Sequence, residues 1–129
     1  MPQNLDKDGL RSKINSYELF FIDIWGVIHN GLQIFEDSIE VLENLKKNNK
    51  EFVLLTNAPR PNSTVIDFLK KIGLKKYYED VYTSGEASLK YLMENFLNAK
   101  FYHIGPPRDF DLFKRLSLIH IWRCRRRPL

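Results

Sequence analysis

Three side chains stand where the pattern of the sequence gives them chemistry to do. Asp23 closes the aromatic and branched run 17–22, and Thr56-Asn57 closes a second apolar run that begins at Glu51. A carboxylate can attack phosphorus and become an aspartyl-phosphate. A hydroxyl and exposed backbone N–H groups can hold the phosphoryl oxygens while charge shifts. Such a transfer brings one anion against another, so a hard cation such as Mg²⁺ is needed to screen the approach. The same residues have plainer uses. An Asp after a strand forms turns by bonding its own backbone, and Thr-Asn before a helix forms a cap. Spacing alone leaves both readings open.

The elements that must position these groups read as follows. Residues 17–22 form a buried strand, short and rich in aromatic and branched side chains. The stretch 25–35 carries Asn30-Gly31, a tight-hairpin signal, because both turn positions favour positive φ. Residues 36–49 predict a helix with Ile39, Leu42 and Leu45 on one stripe, acids at its start and lysines at its end. Glu51 to Thr56 is a second buried strand, and the prolines at 59 and 61 make the next segment a loop. A second helix runs over 62–72 to a stop at Gly73. A short third strand covers 81–83, a third helix 86–97 is built on Leu89, Leu92, Met93 and Phe96, and a fourth strand covers 100–104. Strands alternating with helices imply an α/β fold with a parallel sheet. In such sheets ligands bind beyond the carboxyl ends of the strands, where Asp23 and Thr56 lie.

The string Phe21-Ile22-Asp23-Ile24-Trp25-Gly26-Val27-Ile28-His29-Asn30-Gly31 resembles the first motif of the haloacid dehalogenase superfamily, and Leu54-Leu55-Thr56-Asn57-Ala58-Pro59-Arg60 resembles its second motif in class IIA. Tyr82-Thr83-Ser84-Gly85-Glu86-Ala87 and Tyr102-His103-Ile104-Gly105-Pro106 look like later landmarks of that class, so the resemblance spans about residues 15–115. It implies the N-terminal part of a Rossmann-like core, with a flap hairpin at 25–35 inside residues 1–97, and with residues 98–115 as the fourth strand and lead-in to a cap domain. It implies Asp23 as nucleophile, Thr56 and Asn57 as phosphate-binding residues, and Mg²⁺ held by Asp23 and the Trp25 backbone carbonyl. The activity implied is Mg²⁺-dependent phosphoryl transfer from a small phosphorylated metabolite.

One position departs from the motif. The second aspartate of the family, its general acid/base, is Trp25 in this chain, similar to an Asp-x-Trp-Gly branch of class IIA. An indole N–H is far too weak an acid to protonate a leaving alkoxide. A good leaving group, an acid from the cap or substrate, or a phosphate-binding protein without turnover each accommodates Trp25. His29 offers a titrating group nearby, though a solvent-facing flap histidine is the plainer expectation. Met93 and Phe96 are expected in the core. His103 is expected as a buried, hydrogen-bonded histidine, and Arg60 either touches an anion or lies in solvent.

Composition narrows the setting. The chain has 129 residues, 43% hydrophobic, with a formal net charge of +4. That excludes a disordered tail, a collagen and a disulfide scaffold. No apolar run is long enough to cross a bilayer. Four arginines and no acid fall in 116–129, which accounts for the whole of the net charge. Leu116-Ser117-Leu118-Ile119-His120-Ile121 resembles a translated transposase mosaic end, CTG-TCT-CTT-ATA-CAC-ATC, so 116–129 is read as adapter-derived and set aside. Nucleic-acid and membrane partners are then not expected, and residues 1–115 alone are expected to be inactive. No cysteine precedes Cys124 and no export signal is visible, so a reducing, cytoplasmic setting is expected.

Overall fold

The computed structural model describes residues 9–116 and 120–123. Two short 3-10 turns, Leu10–Ser12 and Ile14–Ser16, lead into strand β1, Leu19–Asp23. Helix α1 (Glu36–Lys47), strand β2 (Glu51–Thr56), helix α2 (Asn62–Lys71), strand β3 (Val81–Thr83) and helix α3 (Ser84–Phe96) follow. The three strands form a parallel sheet in the order β1-β2-β3, with Asp23 opposite Leu55 and Thr56 opposite Thr83. The expected α/β architecture holds for these elements.

The core lies against one face of that sheet. Leu42 and Leu45 of α1 and Leu69 of α2 are buried with Phe52, Leu54 and Val81. Full burial of such a side chain contributes about 1.5–3 kcal/mol. Ile24 and Ile28, beyond β1, belong to the same cluster and anchor the segment that follows Asp23. The other face, carrying Leu19, Phe21, Leu55 and Tyr82, is exposed, Phe21 to 68%.

Both α1 and α2 end in the same way. The Leu74 N–H reaches the Leu69 carbonyl and the Gly73 N–H reaches Lys70, with Gly73 at φ 111°. Lys50 and Asn49 repeat the pattern on Leu45 and Lys46, with Asn49 at φ 55°. These left-handed residues satisfy the last carbonyls of each helix, as the sequence position of Gly73 predicts.

Three expectations change. Strand β4, Tyr102–Gly105, lies outside the three-stranded sheet and pairs in parallel with β5, His120–Arg123, which falls within the stretch resembling adapter sequence. Its residues alternate between exposed and half-buried, unlike a strand covered on both faces. Met93 and Phe96 are exposed. Leu89 alone of the α3 stripe is fully buried, packing on Leu112 and Leu116 from the 3-10 helix Pro107–Phe113 and the turn after it. That short cover reaches only part of the α3 stripe. Third, Asn30-Gly31 does not make a two-residue hairpin. The Asn30 carboxamide accepts the N–H groups of Leu32 and Gln33, so the connection spans four residues between bridged His29 and Ile34. Gly31 alone there has positive φ, 92°. The Asn side chain supplies the turn locally, and this outcompetes the tighter geometry.

Candidate active site

Asp23 and Thr56 are the last residues of neighbouring parallel strands, so both stand at the carboxyl edge of the sheet. Asp23 is exposed, and its Oδ1 accepts the Ile24 N–H at 2.8 Å. The turn-forming use of this aspartate is therefore realised, through one of its two oxygens. Thr56 is half-buried, and its Oγ1 accepts the Ala58 N–H at 3.3 Å. Asn57 lies exposed on the loop between them and α2.

That loop is held from below by the start of α3. The Ala58 carbonyl accepts the Gly85 N–H and the Ser84 hydroxyl, each at 3.1 Å, and the Arg60 carbonyl accepts the Thr83 hydroxyl. A Cβ on residue 85 would stand 2.3 Å from the Arg60 nitrogen, so only glycine allows this approach. Thr83 caps α3: the Glu86 N–H donates to Thr83 Oγ1 at 2.9 Å. The Glu86 carboxylate does not close on its own helix. It accepts the Asn62 N–H of α2 at 3.0 Å, while Asn62 Oδ1 accepts the Thr83 N–H at 2.9 Å. Arg115 lies 3.6 Å from Glu86 Oε1, and the Thr64 hydroxyl donates to Asp111 at 2.8 Å. Glu86 and Asp111 are residues that sequence reasoning missed. The Thr83-Ser84-Gly85-Glu86 pattern was a visible signal for the former.

Trp25 rises from the other side of the rim, 64% exposed. His29 is 4% exposed, which corrects the expectation of a solvent-facing flap histidine. It is packed edge-on against both Trp25 and Phe68, with ring centroids 5.2 and 5.4 Å away. Its Nδ1 accepts the Gly31 N–H at 2.8 Å, so the proton of the neutral ring sits on Nε2. Burial holds the imidazole below its ordinary pKa and keeps it neutral. The Ser38 hydroxyl donates to the Val27 carbonyl and ties this segment to α1.

Between the segment and α2 lies a cavity of about 220 Å³ whose walls include Trp25, His29, Thr56, Arg60, Val65 and Phe68. Arg60 is half-buried rather than free in solvent. His103 lies apart from this rim, its ring against Phe110 and Phe113, and its buried Nε2 has no hydrogen-bond partner among the described residues. His103 is half-buried rather than buried, and Nε2 does not make the hydrogen bond expected of this histidine. Among the described residues no three His, Cys, Asp or Glu side chains gather as a metal cluster. Asp23 and the Trp25 carbonyl offer hard oxygen donors, which fit Mg²⁺, a cation that takes one or two carboxylates and completes its shell with water and phosphate. No helix among the described residues is long and apolar enough to cross a membrane.

The profile of haloacid dehalogenase-like hydrolases matches residues 20–118. The 5'-nucleotidase YutF of Bacillus subtilis is 26% identical over 93 residues, covering 71% of this chain and 36% of that protein. Among solved structures, a haloacid dehalogenase-like hydrolase from Brucella suis superposes with a TM-score of 0.71 at 28% identity, covering 93% of this chain and 44% of the other. A 4-nitrophenylphosphatase from Thermotoga maritima gives 0.66 at 26% identity, covering 83% and 41%. The chain thus spans well under half the length of these relatives.

Proposed function

The chain belongs to the haloacid dehalogenase-like hydrolases, and on that premise we propose that it carries the nucleophile half of a class IIA phosphatase acting on a small phosphorylated metabolite. The observation that carries this reading is the register that sets Asp23 and Thr56 at the ends of adjacent strands. In the proposed reaction the free carboxylate oxygen of Asp23 attacks phosphorus and the ester oxygen leaves. Water then attacks the aspartyl-phosphate and returns the carboxylate. Thr56 and Asn57 hold phosphoryl oxygens, and the loop strapped by Thr83, Gly85 and Glu86 keeps them in place before substrate arrives. Mg²⁺, held by Asp23 and the Trp25 carbonyl, would offset the charge between carboxylate and phosphate. The named activities of the relatives, a 5'-nucleotidase and a 4-nitrophenylphosphatase, support a phosphomonoester substrate.

The test uses the protein expressed from the uninterrupted gene, with phosphate release measured in the presence of Mg²⁺. Asp23→Asn is expected to abolish release. Equal turnover by the two proteins would exclude Asp23 as nucleophile. Residues 1–115 by themselves are expected to bind phosphate without turnover, and the codons of residues 116–121 test their adapter origin.

A further inference from the structure

Resting on the reading of Thr56 as a phosphate-binding residue, we propose that Arg60 is a further substrate-binding residue, its guanidinium closing on the same phosphoryl group that Thr56 holds. From the sequence, Arg60 either touches an anion or lies in solvent. Three observations favour the anion.

First, Arg60 is a half-buried cation, and no ion pair among the described residues includes it. Glu86 and Asp111, the carboxylates of the surrounding network, are engaged elsewhere. Glu86 accepts the Asn62 N–H and faces Arg115, and Asp111 accepts the Thr64 hydroxyl. Drawing a charge out of water costs free energy unless an opposite charge meets it. A bound phosphate supplies that charge.

Second, Arg60 and Thr56 line one cavity, and its wall suits an anion. No carboxyl group lines it. His29 accepts the Gly31 N–H at Nδ1, which leaves its Nε2–H as a donor. The Trp25 indole offers only an N–H. Thr56 Oγ1 accepts the Ala58 N–H, and its own proton remains available for a ligand. Only Thr64 has its proton committed, to Asp111.

Third, the main chain of Arg60 is fixed before any ligand arrives. Its carbonyl accepts the Thr83 hydroxyl, and Gly85 packs so closely that a Cβ there would stand 2.3 Å from the Arg60 nitrogen. Only the side chain is left to move. Its planar fork can present two parallel N–H groups to one phosphoryl, and an anchored fork loses little freedom in doing so.

The test titrates inorganic phosphate, with Mg²⁺ present, into the protein from the uninterrupted gene, read by calorimetry. Arg60→Gln is expected to bind at least about tenfold more weakly, the scale of one charge-assisted contact. Its affinity is expected to fall less steeply with added KCl, because one charge has left the site. Its urea midpoint is expected to match the parent's, since no ion pair is lost. Thr56→Val is expected to weaken binding as well. Three results overturn the Arg60 contact and leave the phosphate reading standing: unchanged affinity in Arg60→Gln beside a loss in Thr56→Val, a salt dependence parallel to the parent's, or weaker binding that comes with a lowered urea midpoint. No binding of phosphate by the parent protein overturns that reading, and the proposal with it.

Discussion

Glu86 ties together three parts of the molecule that surround the proposed phosphate loop, and its removal is worth working through. Its Oε2 accepts the first N–H of α2 at 3.0 Å, its own N–H completes the Thr83 cap, and Oε1 faces Arg115 at 3.6 Å. Glu86→Ala deletes the two side-chain contacts and keeps the cap. A carboxylate bonded to a helix N-terminal N–H is worth about 1–2 kcal/mol, counting the favourable end of the helix dipole. The Arg115 side chain is 61% exposed and that of Glu86 24%, so the ion pair is screened and adds at most about 0.5 kcal/mol. The expected loss is about 2 kcal/mol, a fall of about 1–2 M in the urea midpoint of a chain this size. Glu86→Gln keeps the acceptor for the Asn62 N–H and loses only charge, at about 0.5–1 kcal/mol. Urea titrations followed by far-ultraviolet circular dichroism measure both. If the glutamine variant loses as much as the alanine variant, or if alanine costs less than about 0.5 kcal/mol, the carboxylate does not hold the loop to α3 as the geometry implies.

Other expectations follow from the same structure. Gly85→Ala drives a Cβ to within 2.3 Å of the Arg60 backbone, so it should cost about 1–3 kcal/mol in the urea titration and weaken the binding of inorganic phosphate, read by calorimetry. Gly73→Ala places a side chain at φ 111° and should cost about 1–2 kcal/mol in the same urea assay, with ligand binding unaltered. The folded state holds His29 below its ordinary pKa of 6.5. On acidification the unfolded chain takes up this proton first, so stability falls below about pH 6.5 and levels off beneath the folded value. His29→Gln should lose that part of the slope on acidification below the ordinary histidine range; an unchanged slope refutes it.

The helices and the first three strands were legible because their signals are local. Leu42 and Leu45, three residues apart, specify the buried side of α1, and Gly73 specifies where α2 stops. What local pattern cannot report is the presence of a partner. Met93 and Phe96 continue an apolar stripe, yet the cluster around Leu112 and Leu116 takes in Leu89 and part of Leu92 and leaves Met93 and Phe96 exposed. His29 looked like a solvent-facing loop residue, and its burial depends on Phe68, far along the chain. Asn30-Gly31 misled in the opposite sense, because a side-chain amide can build a turn that backbone preference alone does not foresee. In the candidate site, Asp23 and Thr56 were found from strand ends. Glu86 acts on an amide 24 residues away, and no spacing rule links the two.

The proposed role of Asp23 can be read at the atom concerned. The protein from the uninterrupted gene is incubated with an aryl phosphate, quenched in acid and treated with borohydride, which reduces an aspartyl-phosphate to homoserine. Peptide mass spectrometry is expected to find homoserine at position 23 and nowhere else. Phosphate release with an unmodified Asp23, or homoserine at another aspartate, would contradict the account.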